Sequence, residues 1–308
     1  MLKYIGRRLL MLIPVLLGVT LIIFIISYIT PGDPAQIILG DDATPENVAA
    51  LREEMGLNDP FFVRYVNYIW DAMRGDLGTS YSTGQPVMEL IQERFPNTLK
   101  LAVSSVGISI TLGLIFGIIA SVKQYSLFDD IAMSLALIGV SMPAFWLGLL
   151  LILVFSVNLG WFPPSGYDSL GQMILPAVTN GVGACAIIAR MTRSSMLEVV
   201  RQDYITTARA KGQNEFKVVM RHAFKNALIP IINVVGLQFG ALLGGSVLVE
   251  SVFSIPGLGK LMVDAIKQRN FAVVQGGVLY LAVMFTLVNL AIDIIYAFVD
   301  PRVKSQYK

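Results

Sequence analysis

The uncharged run from Leu9 to Ile29 constrains this chain more than any other feature. At 1.5 Å per residue it is long enough to cross a bilayer core of about 30 Å as a helix. Backbone in that medium must satisfy itself, which leaves helices and closed barrels as the only spanning forms. Lys3, Arg7 and Arg8 precede the run. A secretory signal has a shorter apolar region and a small-residue cleavage site. The run therefore reads as a retained first helix with its basic end in the cytoplasm.

Five further apolar spans follow: Thr98 to Val122, Ile131 to Asn158, roughly Met173 to Ala189, Leu228 to Val249, and Ala272 to Val299. The chain is 55% hydrophobic and 14% charged, with a mean hydropathy of +0.68, outside the range of soluble domains. These observations predict an all-α integral membrane protein with six transmembrane helices. Alternating sides places fifteen Lys and Arg with the N-terminus and eight opposite, so both termini are expected in the cytoplasm. Gly113 and Gly117 lie four apart in the second span, and Pro143 inside the third should kink it. Gly236, Gly240 and Gly244 form a small-residue ridge in the fifth, suited to close helix packing or to a subunit seam.

Between the first two spans lies a polar segment, about Thr30 to Asn97, with eleven acidic residues against four arginines. That excess suits the outer side. Thr44-Pro45-Glu46 begins a helix well, with a cap, a proline in the first turn and an acid near the dipole. Gly56 should end it, and Phe61 to Met73 reads as a second, aromatic-rich helix. The segment is too short for a secure core of its own and should pack on the membrane part. The expected organisation is residues 1–29 as N-tail and first helix, 30–97 as an extracytoplasmic helical segment, 98–299 as a five-helix core, and 300–308 as a cytoplasmic tail. A cytoplasmic loop, 190–227, lies within the core.

Several chemistries are excluded. One cysteine, Cys185, allows no intramolecular disulfide, and one histidine, His222, allows no two-histidine metal motif. No phosphate-binding loop is present, because Gly259-Lys260 is preceded at the required place by Ser254. ATP-driven work would belong to another chain, and no cofactor or metal is expected in this one. Two positions carry polar chemistry in the spans and stay open. Asp293 is either a path-lining carboxylate or an ion pair near the interface, for instance with an arginine at the end of the fourth span. Asn233 and Gln238 either face a passing solute or bridge helices. Glu250 ends the fifth span and is expected at the outer interface.

The most basic segment is Arg201 to Pro230, between the fourth and fifth spans. It reads as two short helices. Asp203 can cap the first, and Gly212 can end it in left-handed geometry. Asn214 can cap the second, where Phe216, Val219, Met220, Ala223, Phe224 and Ala227 share one face. Lys217, Arg221 and Lys225 stack on another, and Pro230 sits where the next span begins. Such a loop either only sets topology or docks a cytoplasmic partner.

Read whole, the chain resembles a permease subunit, of the first type, in the dipeptide/oligopeptide/nickel branch of ABC importers. The resemblance rests on PGDPA (31–35), ATPENVAALREEMGLNDPFFVRY (43–65), GDLGTSYSTGQPV (75–87), SMPAFWLG (141–148), GWFPPSG (160–166), ESVFSIPGLGKLMVDAI (250–266), RNFAVVQG (269–276) and DPR (300–302). It implies the six-helix fold of type I importer permeases, a multi-pass place in a prokaryotic cytoplasmic (inner) membrane, and no enzymatic activity. It further implies a second related permease, two ATPase subunits holding ATP and magnesium, an extracytoplasmic peptide-binding protein, and no nucleic-acid partner. The basic loop resembles the family's coupling loop, Glu-Ala-Ala, three residues, then Gly. Here Thr206 and Thr207 take the first two places, while Ala208 and Gly212 match. By that resemblance Asp203, Tyr204, Thr207, Ala208, Arg209, Ala210, Lys211 and Gly212 would contact an ATPase. Met142, Asn233, Gln238, Gly240 and Asp293 are the candidates for the translocation path. The implied solute is a di- or oligopeptide; nickel or glutathione is the alternative within the family. An ion-coupled secondary transporter is the alternative from another class.

Overall fold

The computed structural model describes residues 2–40 and 43–299; the side chains of 2–5, 7–9, 293 and 295–299 lie outside that description. Regular structure among the described residues is helical, apart from one bridge between Thr79 and Pro86. In chain order the helices are α1 (Leu2–Ile29), α2 (Pro34–Leu39), α3 (Pro45–Glu54), α4 (Phe61–Met73), α5 (Val87–Val122), α6 (Leu127–Ser141), α7 (Ala144–Leu151), α8 (Leu170–Val200) and α9 (Asp203–Ala210). They continue with α10 (Glu215–Lys217), α11 (Lys225–Gly245), α12 (Val247–Val252), α13 (Leu258–Lys267) and α14 (Phe271–Val299). Two stretches wind as wider π-helix: Ile152–Asn158 after α7 and Val218–Phe224 between α10 and α11. Among the described residues five helices are long and apolar enough to span a bilayer, and the bent pair α6–α7, taken as one span, brings the number to six.

The chain divides into two compact units. One comprises 2–98 with 256–286. Its small helices start as their sequences dictate. Asp33 accepts a hydrogen bond from the Ala35 amide at 3.1 Å ahead of Pro34, and Thr44 accepts one from the Asn47 amide ahead of Pro45. Gly56 adopts φ +62 past the end of α3. α4 lies against α1, with the Phe24 ring edge-on to Phe61 and Tyr65 at 5.3 and 5.5 Å between centroids. Leu77, Val87, Ile91, Leu258 and Val273 form the unit's buried core.

The other unit comprises 99–255 with α14 from Leu287. α8 is its centre and packs on α6, α7 and α11. Ser169 opens α8 with a reciprocal cap, its hydroxyl accepting from the Gln172 amide and the Gln172 side chain accepting from the Ser169 amide. Gly113 and Gly117 let α5 reach α8. A Cβ at Gly117 would stand 2.6 Å from the Ala189 carbonyl oxygen, and one at Gly113 would stand 3.0 Å from that of Cys185. At Gly236 an added Cβ would collide with Ile292 of α14, so the ridge packs within the chain there, and Gly240 is buried; Gly244 meets nothing.

Several expectations change. The third span is broken rather than kinked: α6 and α7 meet at 108°. Met142 is extended (ψ 129), the conformation that a following proline imposes, and Pro143 then starts α7. α5 begins at Val87, well before Thr98, because Pro96 is accommodated inside it. Glu250 is fully buried rather than interfacial, and accepts a hydrogen bond from Ser246 Oγ at 2.9 Å. Toward the end of α8, Arg193 Nε and Nη2 each donate to Asp129 at 2.6 Å, joining α8 to the first turn of α6. Asp293 lies on α14, and its side chain falls outside the described ones.

Candidate coupling site

The loop between the fourth and fifth spans folds as a compact hairpin of two helices. α9 starts after Gln202, which is its cap residue, so Asp203 occupies the first helical turn and complements the dipole instead of capping. Thr207 Oγ1 donates back to the Asp203 carbonyl at 3.0 Å. The chain then reverses at Gly212, whose φ of +74 is the left-handed geometry anticipated there. Its amide donates to the Arg209 carbonyl at 2.9 Å. Asn214 caps the second helix, accepting from the Phe216 amide at 2.9 Å.

The second helix is not a short separate one. From Glu215 it runs without a break to Gly245, so the hairpin's second arm is an extension of the fifth span. Pro230 consequently lies inside a helix rather than in its first turn. Its apolar face continues into the span without a polar interruption, which removes any reason for the helix to stop.

Three sets of interactions hold the arms together. Ile205 and Ala208 of α9 pack with Val218, Val219, Ala223 and Ala227 of the second arm and with Met196 of α8 in one buried cluster. Each fully buried Ile or Val contributes about 1.5–3 kcal/mol. Arg209 grips Glu215 with both branches, Nη2 at 2.7 Å and Nε at 3.1 Å. The Glu215 carboxylate, chiefly through these hydrogen bonds, raises the pKa of the Arg209 guanidinium above its usual value. His222 Nε2 lies 2.8 Å from Gln213 Oε1.

The outward face of α9 is formed by Tyr204, Thr206, Thr207, Arg209 and Ala210, and it continues through Lys211 and Gly212; Asp203 is exposed as well. Ala208 departs from the expectation of a partner contact: it is 7% exposed and turned into the hairpin. The small side chain permits close approach between the two arms. Phe216, expected on the apolar face, is 75% exposed, whereas Val218 takes a buried place. Lys217, Arg221 and Lys225 are all exposed as expected. Sequence reasoning missed Glu215 and Ile205; an Arg and a Glu flanking a Gly turn was the available signal for the first.

The described candidate path residues differ in burial. Met142 sits at the α6–α7 break beside Ser141 and Trp146, where it lines an open cleft of about 610 Å³. Asn233 is exposed on α11 and Gln238 half-buried, while Gly240 is buried in packing. Among the described residues no group of His, Cys, Asp and Glu is arranged to hold a metal ion.

A helical bundle with spans of membrane-crossing length and a two-helix hairpin between the fourth and fifth defines the class as an integral membrane protein. Residues 113–305 match the family model described as binding-protein-dependent transport system inner membrane component, and residues 1–102 match that family's N-terminal model. The dipeptide transport system permease protein DppB of Alkalihalophilus pseudofirmus is 45% identical, over 99% of this chain and all of that one. The glutathione transport system permease protein GsiC of Salmonella choleraesuis is 44% identical, over 99% of each. Among solved structures, the inward-facing MetNI methionine ABC transporter aligns with a TM-score of 0.56 at 22% identity, covering 69% of this chain and 97% of that one. The fold is therefore that of ABC importer permeases. The chain belongs to the binding-protein-dependent transport system inner membrane components, and is a multi-pass permease rather than an enzyme. Membership implies a binding protein and an ATPase as partners.

Proposed function

We propose that this chain forms half of the translocation path of an ATP-driven importer of di- or oligopeptides. The observation that carries the coupling role is the hairpin: the exposed face of α9 is tied to an arm that is itself the start of the fifth span. An ATPase docking on α9 would move that span as a lever, without slack between the two. The complete importer would add a second related permease, two ATPase subunits that bind ATP and magnesium, and an extracytoplasmic peptide-binding protein. Asp203, Tyr204, Thr207, Arg209, Ala210 and Lys211 would meet the ATPase, with Gly212 setting the angle of α9. Ala208 would support them from behind. Met142 at the broken span and Asn233 and Gln238 on α11 are the polar or flexible groups offered to the path.

The peptide assignment rests on the named relatives, which include a dipeptide and a glutathione permease. Both solutes carry peptide bonds and terminal charges, so they share recognition chemistry. Uptake of radiolabelled dipeptide, with unlabelled dipeptide, glutathione or nickel as competitors, tests it in cells expressing the whole transporter. Competition by dipeptide supports the reading. Competition by nickel or glutathione alone moves the assignment to that solute.

A further inference from the structure

We propose that α4 is immersed in the bilayer beside α1, with phospholipid acyl chains filling the cleft between α1, α4 and α14. Although the segment that carries α4 is polar overall, α4 itself is not a solvent helix. Phe62, Val66, Trp70 and Met73 recur at helical spacing and are 75%, 61%, 55% and 76% exposed. Asn67 and Asp71 occupy a different sector, and Asp71 lines a separate polar cavity with Glu54 and Asp76.

The height of α4 is fixed by what it touches. Tyr65 Oη donates to the Leu17 carbonyl at 3.0 Å and lies 3.0 Å from Thr20 Oγ1. Both partners lie in the middle of the apolar span Leu10–Ile29 of α1. Phe61 meets Tyr28 at 5.2 Å between ring centroids, and at the other end Ile69 and Met73 share a cleft with Ile13 and Leu17. α4 thus runs antiparallel beside α1 over most of its spanning length. Ile22, Ile25 and Ile26 of α1 are exposed as well. A helix alongside a membrane span meets the same solvent as the span.

The cleft points to the same occupant. It holds about 540 Å³ and is lined by Ile13, Leu17, Ile69, Met73, Leu279 and Met284 among other apolar residues. Water in such a cleft would find few partners, whereas an acyl chain fills it without polar cost. The charged groups are shielded in ways that suit an interface. Arg64 stacks over Phe24 and Tyr28 at 6.0 and 5.7 Å, and Arg74 over Trp70 at 4.7 Å. Indole and guanidinium together are the side-chain chemistry of the headgroup level.

The test uses the full chain, assembled with its partner subunits in phosphatidylcholine nanodiscs. A nitroxide is placed by Val66→Cys in a Cys185→Ala background, with Ile25→Cys as a lipid reference and Asn47→Cys as an aqueous one. Power saturation is read with oxygen and with a neutral nickel chelate. Immersion predicts a label at 66 that matches 25: relaxed by oxygen and protected from the nickel chelate. Relaxation by the chelate, as at 47, would place α4 in water and overturn the proposal. Protection from both reagents would mean that protein covers the stripe, and would overturn it equally. Ile22→Cys repeats the lipid reference if labelling at 25 disturbs assembly.

Discussion

Substitutions at Gly212 should grade the coupling hairpin in an order set by backbone geometry alone. The residue sits at φ +74, and a Cβ added there meets nothing within 4 Å, so alanine carries no steric cost from neighbours. What remains is the left-handed conformation, about 1–2 kcal/mol for an ordinary L-residue. Asparagine tolerates that region and should lose less. Proline cannot comply: its ring holds φ near −65 and it lacks the amide that donates to the Arg209 carbonyl at 2.9 Å. The turn is exposed, so the penalty falls on the angle of α9 rather than on the bundle. One to two kcal/mol corresponds to roughly 5–30-fold in the population of the native turn. Substrate-stimulated ATPase activity of the assembled transporter, at matched expression and monodispersity, should fall in the order Gly, Asn, Ala, Pro, with Pro abolishing stimulation. Equal activity across the series, or Ala as damaging as Pro, would refute the reasoning.

Other expectations follow from the same geometry. Gly117→Ala forces α5 off α8, because the new Cβ would lie 2.6 Å from a carbonyl oxygen; overpacking of this kind costs about 1–3 kcal/mol. Gly107→Ala, in open space on the same helix, should be neutral or stabilising by up to about 1 kcal/mol, and thermal unfolding in detergent compares the two. Arg209→Glu and Glu215→Arg should each lower coupled uptake, and the double exchange should restore part of it. The exposed pair itself is worth only about 0.2–1 kcal/mol, so global stability should barely move.

Much of the architecture was legible because it rests on local chemistry. The spans follow from uninterrupted apolar length, and Thr44-Pro45, Gly56, Gly212 and Asn214 mark helix ends by properties of single residues. What escaped depends on contacts distant in sequence. Nothing local reveals that Asp129 holds Arg193, or that Glu250 is fully buried. Ala208 was misplaced because α9 turns it against the second arm, and Phe216 because the π-helical turn at Val218–Phe224 alters its register to the residues that follow. The break at Met142 was underestimated for a different reason. Pro143 predicts a disturbed helix, but only the surroundings decide whether the chain bends or starts again. Within the candidate coupling site, the residues that face outward were largely readable from sequence, whereas the Arg209–Glu215 grip was not.

The central claim is that α9 presents one face to an ATPase while its other face grips the fifth span. A photoreactive benzoylphenylalanine at Thr207, compared with one at Phe62 on α4, tests it in the assembled transporter in native membranes. The account predicts a crosslink from position 207 to an ATP-binding subunit, weakened when a Gly212→Pro change redirects α9, and no such crosslink from position 62. Absence of any ATPase crosslink from 207, with the subunits demonstrably assembled, would contradict it.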